Sequence, residues 1–356
     1  MELLRLGFDQ WFESKQVESP IQGLKPARVS AVDKDSFLII GEYGEMQAQI
    51  MGRLRFETES NIDYPTVGDW VNVEYYNDYT LAIIYNIFPR KTLLKRKSAG
   101  KNIEYQLIGA NIDIACIMQS LDENFNIPRL DRYLVAVNEA HIMPVILYSK
   151  SDLIPAEECE KKISEVKVHY PNYRIIKFSN ISQEGLGEVK SLFLPAKTYC
   201  IIGSSGVGKT TLLNKLIGAE TFATREVRKS DHKGKHATAR RQLIILNNRA
   251  IYIDTPGMKE LGNISVDFGI KETFPDIVQL SKQCRFADCT HSHEPECAVQ
   301  KALESGELQS KRLKNYIKLC KEAEYNTRSY VEKRKKDKEF GKFCKSVMNE
   351  IKKKRL

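Results

Sequence analysis

The sequence predicts a multidomain chain with three parts: an N-terminal all-β barrel, a central α/β domain built on a parallel sheet, and a C-terminal helical region. Three observations carry this reading. Short strands punctuated by turns fill residues 24–90. From about residue 105, apolar runs alternate with amphipathic segments of helix length. Beyond about residue 270 the strand signals stop and the charge balance changes. Residues 1–100 hold 12 Lys/Arg against 14 Asp/Glu, whereas residues 301–356 hold 18 against 8. A chain of 356 residues accommodates two or three domains, and the divisions are expected at 1–95, 96–270 and 271–356.

Composition excludes several classes. Hydrophobic residues make up 42% and charged residues 28%, the balance of a globular protein and not of a disordered one. No apolar run approaches the ~18–20 residues of a membrane span, and Met1-Glu2-Leu3-Leu4-Arg5 resembles no leader peptide. Eight cysteines are too few for a disulfide scaffold at this length. A monomeric, cytoplasmic protein with no membrane partner is expected.

The N-terminal strands are read at 27–32, 37–40, 45–50, 70–75 and 82–87, separated by turn-rich pieces such as Gly41-Glu42-Tyr43-Gly44. Five strands at this spacing fit a small barrel of OB type or another small β domain. Arg90, Lys91, Lys95, Arg96, Lys97 and Lys101 then form a basic stretch that reads as an exposed linker.

In the central domain, strands are expected at 112–118, 143–148, 174–178, 199–202, 242–246 and 250–253. Helices are expected at 130–140, 157–170 and 210–217. Buried apolar runs separated by helices are the pattern of a parallel sheet.

The strongest chemical signal is Gly203-Ser204-Ser205-Gly206-Val207-Gly208-Lys209-Thr210, which fits the P-loop pattern G-x-x-x-x-G-K-[ST]. An apolar strand enters it and a helix beginning near Thr211 leaves it. Glycines let backbone N–H groups turn inward on a polyphosphate, and the helix N-terminus faces the same anion. Lys209 is placed to reach the β and γ phosphates, and the Thr210 hydroxyl to bind Mg²⁺. Asp254-Thr255-Pro256-Gly257 closes a later strand. An Asp there can hold Mg²⁺ and the Gly257 amide can meet a γ-phosphate.

Two further strand ends address the base. Ser149-Lys150-Ser151-Asp152 resembles the [NT]-K-x-D guanine motif of GTPases. In that motif the aspartate, here Asp152, accepts from guanine N1 and N2, and the lysine stem, here Lys150, packs on the ring. Ser149 stands where Asn or Thr is usual. Ser179-Asn180 resembles the S-A-K loop that also touches guanine, with Asn180 in place of the small residue. Both elements precede the P-loop, the reverse of the ordinary order, so the central domain is read as a circularly permuted P-loop GTPase domain. GTP and GDP are the expected ligands.

Cys284-x₄-Cys289-x-His291-x₅-Cys297 places three thiols and an imidazole within fourteen residues, a donor set suited to tetrahedral Zn²⁺. His293 is the alternative imidazole. The segment lacks the apolar pattern to fold alone, so one Zn²⁺ per chain is expected to supply much of its structure. Lys311–Lys321 and Lys333–Lys345 alternate basic with apolar residues. They read as amphipathic helix whose charge suits RNA phosphate.

The permuted order, Gly203–Thr210, Asp254–Gly257, Ala110-Asn111-Ile112-Asp113, Leu130-Asp131-Arg132-Tyr133-Leu134 and the Cys/His cluster together resemble the RsgA/YjeQ family over roughly residues 25–320. The resemblance implies an OB-fold, a permuted GTPase domain and a zinc-binding C-terminal domain, with His291 as the imidazole ligand. It implies GTP hydrolysis stimulated by the 30S ribosomal subunit, contact with its rRNA, and a role in late 30S maturation. Between P-loop and Asp254, Gly234-Lys235-His236-Ala237-Thr238-Ala239-Arg240 resembles the family segment G-x-H-T-T-T. It implies a contact from Thr238 to Mg²⁺ and γ-phosphate, and a water-orienting role for His236. Met258 occupies the place of the glutamine that orients water in Ras-like proteins, and it offers no useful hydrogen bond. That leaves two competing readings: a nucleotide-gated RNA-binding protein with little hydrolysis, and, from Ser149 and Asn180, a P-loop ATPase of unrelated purpose.

Overall fold

The computed structural model describes residues 2–17, 23–33, 36–52, 60–97, 105–218, 241–254 and 266–327. By their internal contacts they fall into two compact units. One comprises residues 1–95 and 106–261, the other residues 96–105 and 262–356.

The first unit opens with helix α1 (Gln10–Val17), which the sequence did not signal because its apolar residues form no stripe. Leu6, Phe8 and Phe12 around it are nevertheless buried. Phe8 meets Trp70 edge-on at 4.7 Å and Phe88 at 5.7 Å. Such aromatic pairs contribute about 0.5–1.5 kcal/mol each beyond the area they bury.

Five strands follow: β1 (Lys25–Val32), β2 (Phe37–Gly41), β3 (Gly44–Ile50), β4 (Trp70–Tyr76) and β5 (Leu81–Ile87). They pair in the order β1-β2-β3-β5-β4, and β4 returns to β1. The result is a closed five-stranded barrel with one parallel pair, β3 on β5. Register shifts between Val29 and Ala31 and between Asn72 and Val73 bend the strands as closure requires. Ala27, Val29, Ile39, Ala48, Val71, Val73 and Ile84 fill the interior.

The basic stretch after the barrel is not a bare linker. Arg90 makes a two-pronged pair with Asp69, 2.7 Å at each prong, and donates to the carbonyls of Ile62 and Tyr64. Strand β6 (Leu93–Lys97) runs through the segment and pairs with β7 (Tyr105–Ala110). Arg90's fork matches a buried carboxylate, which is why this cation turns inward.

The second layer of the unit is the α/β sheet, with β8 (Ile114–Ser120), β9 (Met143–Ser149), β10 (Arg174–Lys177), β11 (Thr198–Ile202), β12 (Gln242–Ile245) and β13 (Ile251–Asp254). The order is β10-β9-β8-β11-β13-β12. All pairs are parallel except β12 with β13, so the expected parallel sheet carries one antiparallel edge. The short connection from β12 to β13 allows only that direction. Helices α2 (Ile127–Glu139), α3 (Ala156–His169), α4 (Leu186–Leu192) and α5 (Lys209–Ile217) form the crossovers.

Barrel and sheet are joined. Ala31 of β1 pairs with Gln242 of β12. Arg28, 1% exposed, points from β1 across the seam. It donates to the carbonyls of Leu6, Gly68 and Asn111, and at 2.9 Å to the hydroxyl of Thr198 at the start of β11. Four acceptors from four separate segments replace the water that a buried guanidinium gives up.

In the second unit, α6 (Asp267–Thr273) and α7 (Pro275–Ser281) precede the Cys/His region, and α8 (Ala298–Glu304) and α9 (Ser310–Thr327) follow it. Arg312 of α9 forks onto Asp276 at 2.6 and 2.8 Å and lies over the Phe274 ring. Leu313, Leu319 and Ala323 are buried while Lys311, Lys314, Lys318 and Lys321 are exposed, so the first half of the basic segment is an amphipathic helix. Residues 333–345 lie outside the described residues.

Candidate functional site

The parallel strands β8, β9, β10, β11 and β13 all end on one edge, where ligands of α/β sheets bind. β11 is fully buried and releases the chain into the P-loop at Gly203. There φ is 153°, and an added Cβ would lie 2.1 Å from the Met118 carbonyl oxygen. Only glycine lets the loop leave its strand this close to β8. Gly208, at φ 94°, caps the start of α5. Ser205, Gly206 and Thr210 are exposed at the mouth, Val207 is buried, and Ser204, Lys209 and Thr211 are half-buried. The Lys209 ammonium donates to the carbonyls of Gly203 at 2.8 Å and Ser204 at 2.6 Å, which folds it back over the loop.

The base motifs, distant in the chain, lie against this loop. Ser149, fully buried at the end of β9, sets its hydroxyl 2.6 Å from the Val207 carbonyl and 3.2 Å from that of Gln119. Lys150 has φ 60° and turns the chain into a short 3-10 segment, Ser151–Leu153, which carries the exposed Asp152. The Lys150 ammonium bonds Asp122 at 2.8 Å. Asp122 also accepts from the Ser120 hydroxyl and the Asn124 amide. Burial pushes its carboxyl up, but Lys150 and those two donors outweigh burial and hold it down at about 2.

After β10, the buried Ser179 hydroxyl accepts from the amides of Ile181 and Ser182, both at 3.0 Å, and shapes that loop. Asn180 donates to the Gly208 carbonyl at 3.3 Å. Its Oδ1 is buried without a partner among the described residues. Asp254 closes β13 on the same edge, opposite Gln242. His236, Thr238 and Gly257 lie outside the described residues.

Sequence reasoning missed Asp122 and Arg129. Arg129 sits in the first turn of α2, its amide bonded to the Asn126 cap, and its guanidinium donates to the Ser204 hydroxyl at 2.6 Å. Partners 28 and 75 positions apart leave no local signal.

The circular order is thus a property of the chain and not of the site. Ser149, at the end of β9, and Asn180, after β10, reach Val207 and Gly208 along the sheet edge past β8, as they would in either chain order. A model of the RsgA GTPase family matches residues 87–264. The chain is 34% identical to "Small ribosomal subunit biogenesis GTPase RsgA 2" of Vibrio vulnificus, over 98% of this chain and 95% of that one. The chain belongs to the RsgA GTPase family. It is 38% identical to an RsgA 1 of Listeria innocua over 92% of this chain and 91% of that one. Among solved structures it resembles YjeQ from Thermotoga maritima, with TM-score 0.62, 26% identity, and coverage of 83% of this chain and 97% of the other. It also resembles YloQ, described as a circularly permuted GTPase, with TM-score 0.62, 25% identity and coverage of 86% and 97%. The fold is therefore that of a circularly permuted RsgA GTPase.

The second unit holds the Cys/His cluster. The donor atoms of Cys284, Cys289, His291 and Cys297 all lie within 4.8 Å of one another. Cys284 and Cys297 sulfurs are 3.8 Å apart, and the His291 Nδ1 is 3.7 and 3.4 Å from them. A zinc tetrahedron with its usual bond lengths has edges of about 3.8 Å between sulfurs and about 3.6 Å from sulfur to nitrogen. The donor set fits that ion. His291 is 5% exposed and its Nε2 lies 3.0 Å from the Ser281 hydroxyl. That hydroxyl already donates to the Ile277 carbonyl, so it accepts from Nε2–H and leaves the Nδ1 lone pair for a metal. His293 is exposed and outside the cluster. The Glu294 carboxylate gathers Thr290, Ser292 and His293 amides and fixes the loop between the ligands.

Proposed function

We propose that the protein hydrolyses GTP in the late maturation of the 30S ribosomal subunit, and that hydrolysis times its release. The observation that carries this reading is identity at 34–38% over nine-tenths or more of the chain to proteins named small ribosomal subunit biogenesis GTPases. The residues at the sheet edge take these roles. Loop amides from Gly203 to Lys209 and the Lys209 ammonium hold the α, β and γ phosphates. Thr210, Thr238 and Asp254 would hold Mg²⁺, which would supply positive charge to offset that of the phosphates. Lys150 covers the base and Asp152 reads guanine N1 and N2. Ser149 and Ser179 hold those elements in place. The Gly257 amide meets the γ-phosphate. With Met258 unable to orient water, His236 takes that task, accepting a proton near neutral pH.

Cys284, Cys289, His291 and Cys297 hold one zinc ion, which fastens the loop between α7 and α8. The three domains follow residues 1–95, 96–270 and 271–356, with an OB-type barrel in the first. The barrel and the basic C-terminal region contact rRNA, an interaction that weakens with salt.

The test is phosphate release from GTP and from ATP, with and without purified 30S subunits, alongside His236→Ala. Turnover selective for GTP, raised by 30S and lost in the variant is expected. ATP-preferring turnover would refute the base assignment. Turnover unmoved by 30S would refute the ribosomal one.

A further inference from the structure

One end of the barrel carries an aromatic cluster that the GTPase reading does not use. The β2–β3 turn presents Tyr43 and the β4–β5 turn presents Tyr79. Their rings stack at 3.9 Å with 25° between planes. Tyr75 stands edge-on to Tyr43 at 5.0 Å. Tyr75 can lie there because residue 41 is glycine: any Cβ at Gly41 would strike the Tyr75 hydroxyl. The outer pair remains open to solvent, Tyr43 at 45% and Tyr79 at 51% exposure.

The turn that presents Tyr79 is strained. Asn77, Asp78 and Tyr79 have φ of 49°, 52° and 64°. Asn and Asp enter the left-handed region readily, but a bulky aromatic residue does so at a cost. Strain of this kind is retained where a side chain must be displayed.

The surrounding charge selects the partner. Glu42 is exposed beside Tyr43, and the exposed Asp78 precedes Tyr79 in its turn. The nearby cation Lys25 is itself held by Glu42, at 4.0 Å. Phosphate is repelled by such a surface. A guanidinium or ammonium is attracted twice, by the ring faces and by the carboxylates.

We propose that the Tyr43–Tyr79 end of the barrel is a docking site for a lysine- or arginine-rich peptide segment of a partner protein. The cationic side chain lies on the exposed face of the stacked pair, and Glu42 and Asp78 neutralise it. This goes beyond the rRNA reading, which assigns the barrel a phosphate-bearing partner, and it stands whether or not that reading holds.

The test uses the full-length protein and two fluorescent probes followed by anisotropy, an (Arg-Gly)₄ peptide and an octauridylate. The variants are Tyr79→Gly, Tyr79→Phe and Glu42→Gln. Glycine accepts the φ at position 79 without strain, and a melting curve on each variant reports that the barrel holds. Loss of one exposed cation–π contact weakens binding about fivefold. The expected result is therefore a peptide affinity about fivefold lower in Tyr79→Gly, restored in Tyr79→Phe, and less salt-dependent in Glu42→Gln. Octauridylate binding should be the same in all. Peptide affinity equal in parent and Tyr79→Gly would overturn the proposal. So would octauridylate affinity that falls in Tyr79→Gly while peptide affinity does not, which would make the pair a nucleobase platform.

Discussion

Removing one hydroxyl, Ser149→Ala, tests whether the end of β9 supports the P-loop. The Ser149 hydroxyl has one proton and two carbonyls within reach, Val207 at 2.6 Å and Gln119 at 3.2 Å. The shorter contact takes the proton. Ser149 is fully buried and Val207 is 1% exposed, so water cannot replace the lost donor. A buried carbonyl left without its partner costs about 1–3 kcal/mol. Part of that appears as global stability and part as freedom of the loop between Gly206 and Lys209. A loss of about 1.4 kcal/mol in the loop's binding geometry corresponds to about tenfold weaker nucleotide affinity. The assay is titration with a fluorescent GDP analogue, paired with urea denaturation with and without GDP. Ser149→Thr keeps the hydroxyl and serves as the control for its proton. Unchanged GDP affinity and unchanged stability in Ser149→Ala would refute the claim that β9 fastens the P-loop.

Arg90→Met leaves the Asp69 carboxylate buried without its fork, and breaking such a pair costs about 3–5 kcal/mol; equilibrium denaturation should show a loss in that range. His291→Ala should abolish stoichiometric zinc in elemental analysis, and His293→Ala should retain one ion per chain. Chelation of the parent should release amide protection across residues 284–300 while leaving residues 198–217 protected. The Asp122 carboxyl is lowered to about 2, below its unfolded value near 3.9. Its contribution is therefore fully present above about pH 4 and is lost as pH falls toward 2. Asp122→Asn should flatten this acid limb of the melting temperature and weaken GDP binding at neutral pH by freeing Lys150.

The barrel strands and the sheet strands were legible because each is a short apolar run bounded by turn residues. The P-loop was legible because its glycines, lysine and threonine are adjacent in the chain. The Cys/His set was legible for the same reason, all four donors falling within fourteen residues. Long-range partnerships were not legible. Arg90 resembled one more exposed cation until Asp69, 21 positions back, gave it a buried carboxylate. Ser149 resembled a weakened Asn, yet its hydroxyl meets Val207, 58 positions on. Helix α1 escaped notice because its buried residues gather around its start and not along a stripe. β12 read as one more parallel strand because apolar content does not reveal direction.

The position of Arg28 bears on how this chain folds as it is made. Residues 25–87 emerge early and contain every strand of the barrel. Yet their buried cation completes its set of acceptors only with Asn111 and with Thr198, 170 positions later. Until β11 has been synthesised, Arg28 must stay hydrated or leave N–H donors unsatisfied, so the barrel's seam side remains open. Closing that seam and delivering the strand that carries the phosphate loop are one event. A nascent chain therefore cannot finish its first domain before the nucleotide-binding edge begins to form, and a nucleotide present at that moment could act on the folding of both.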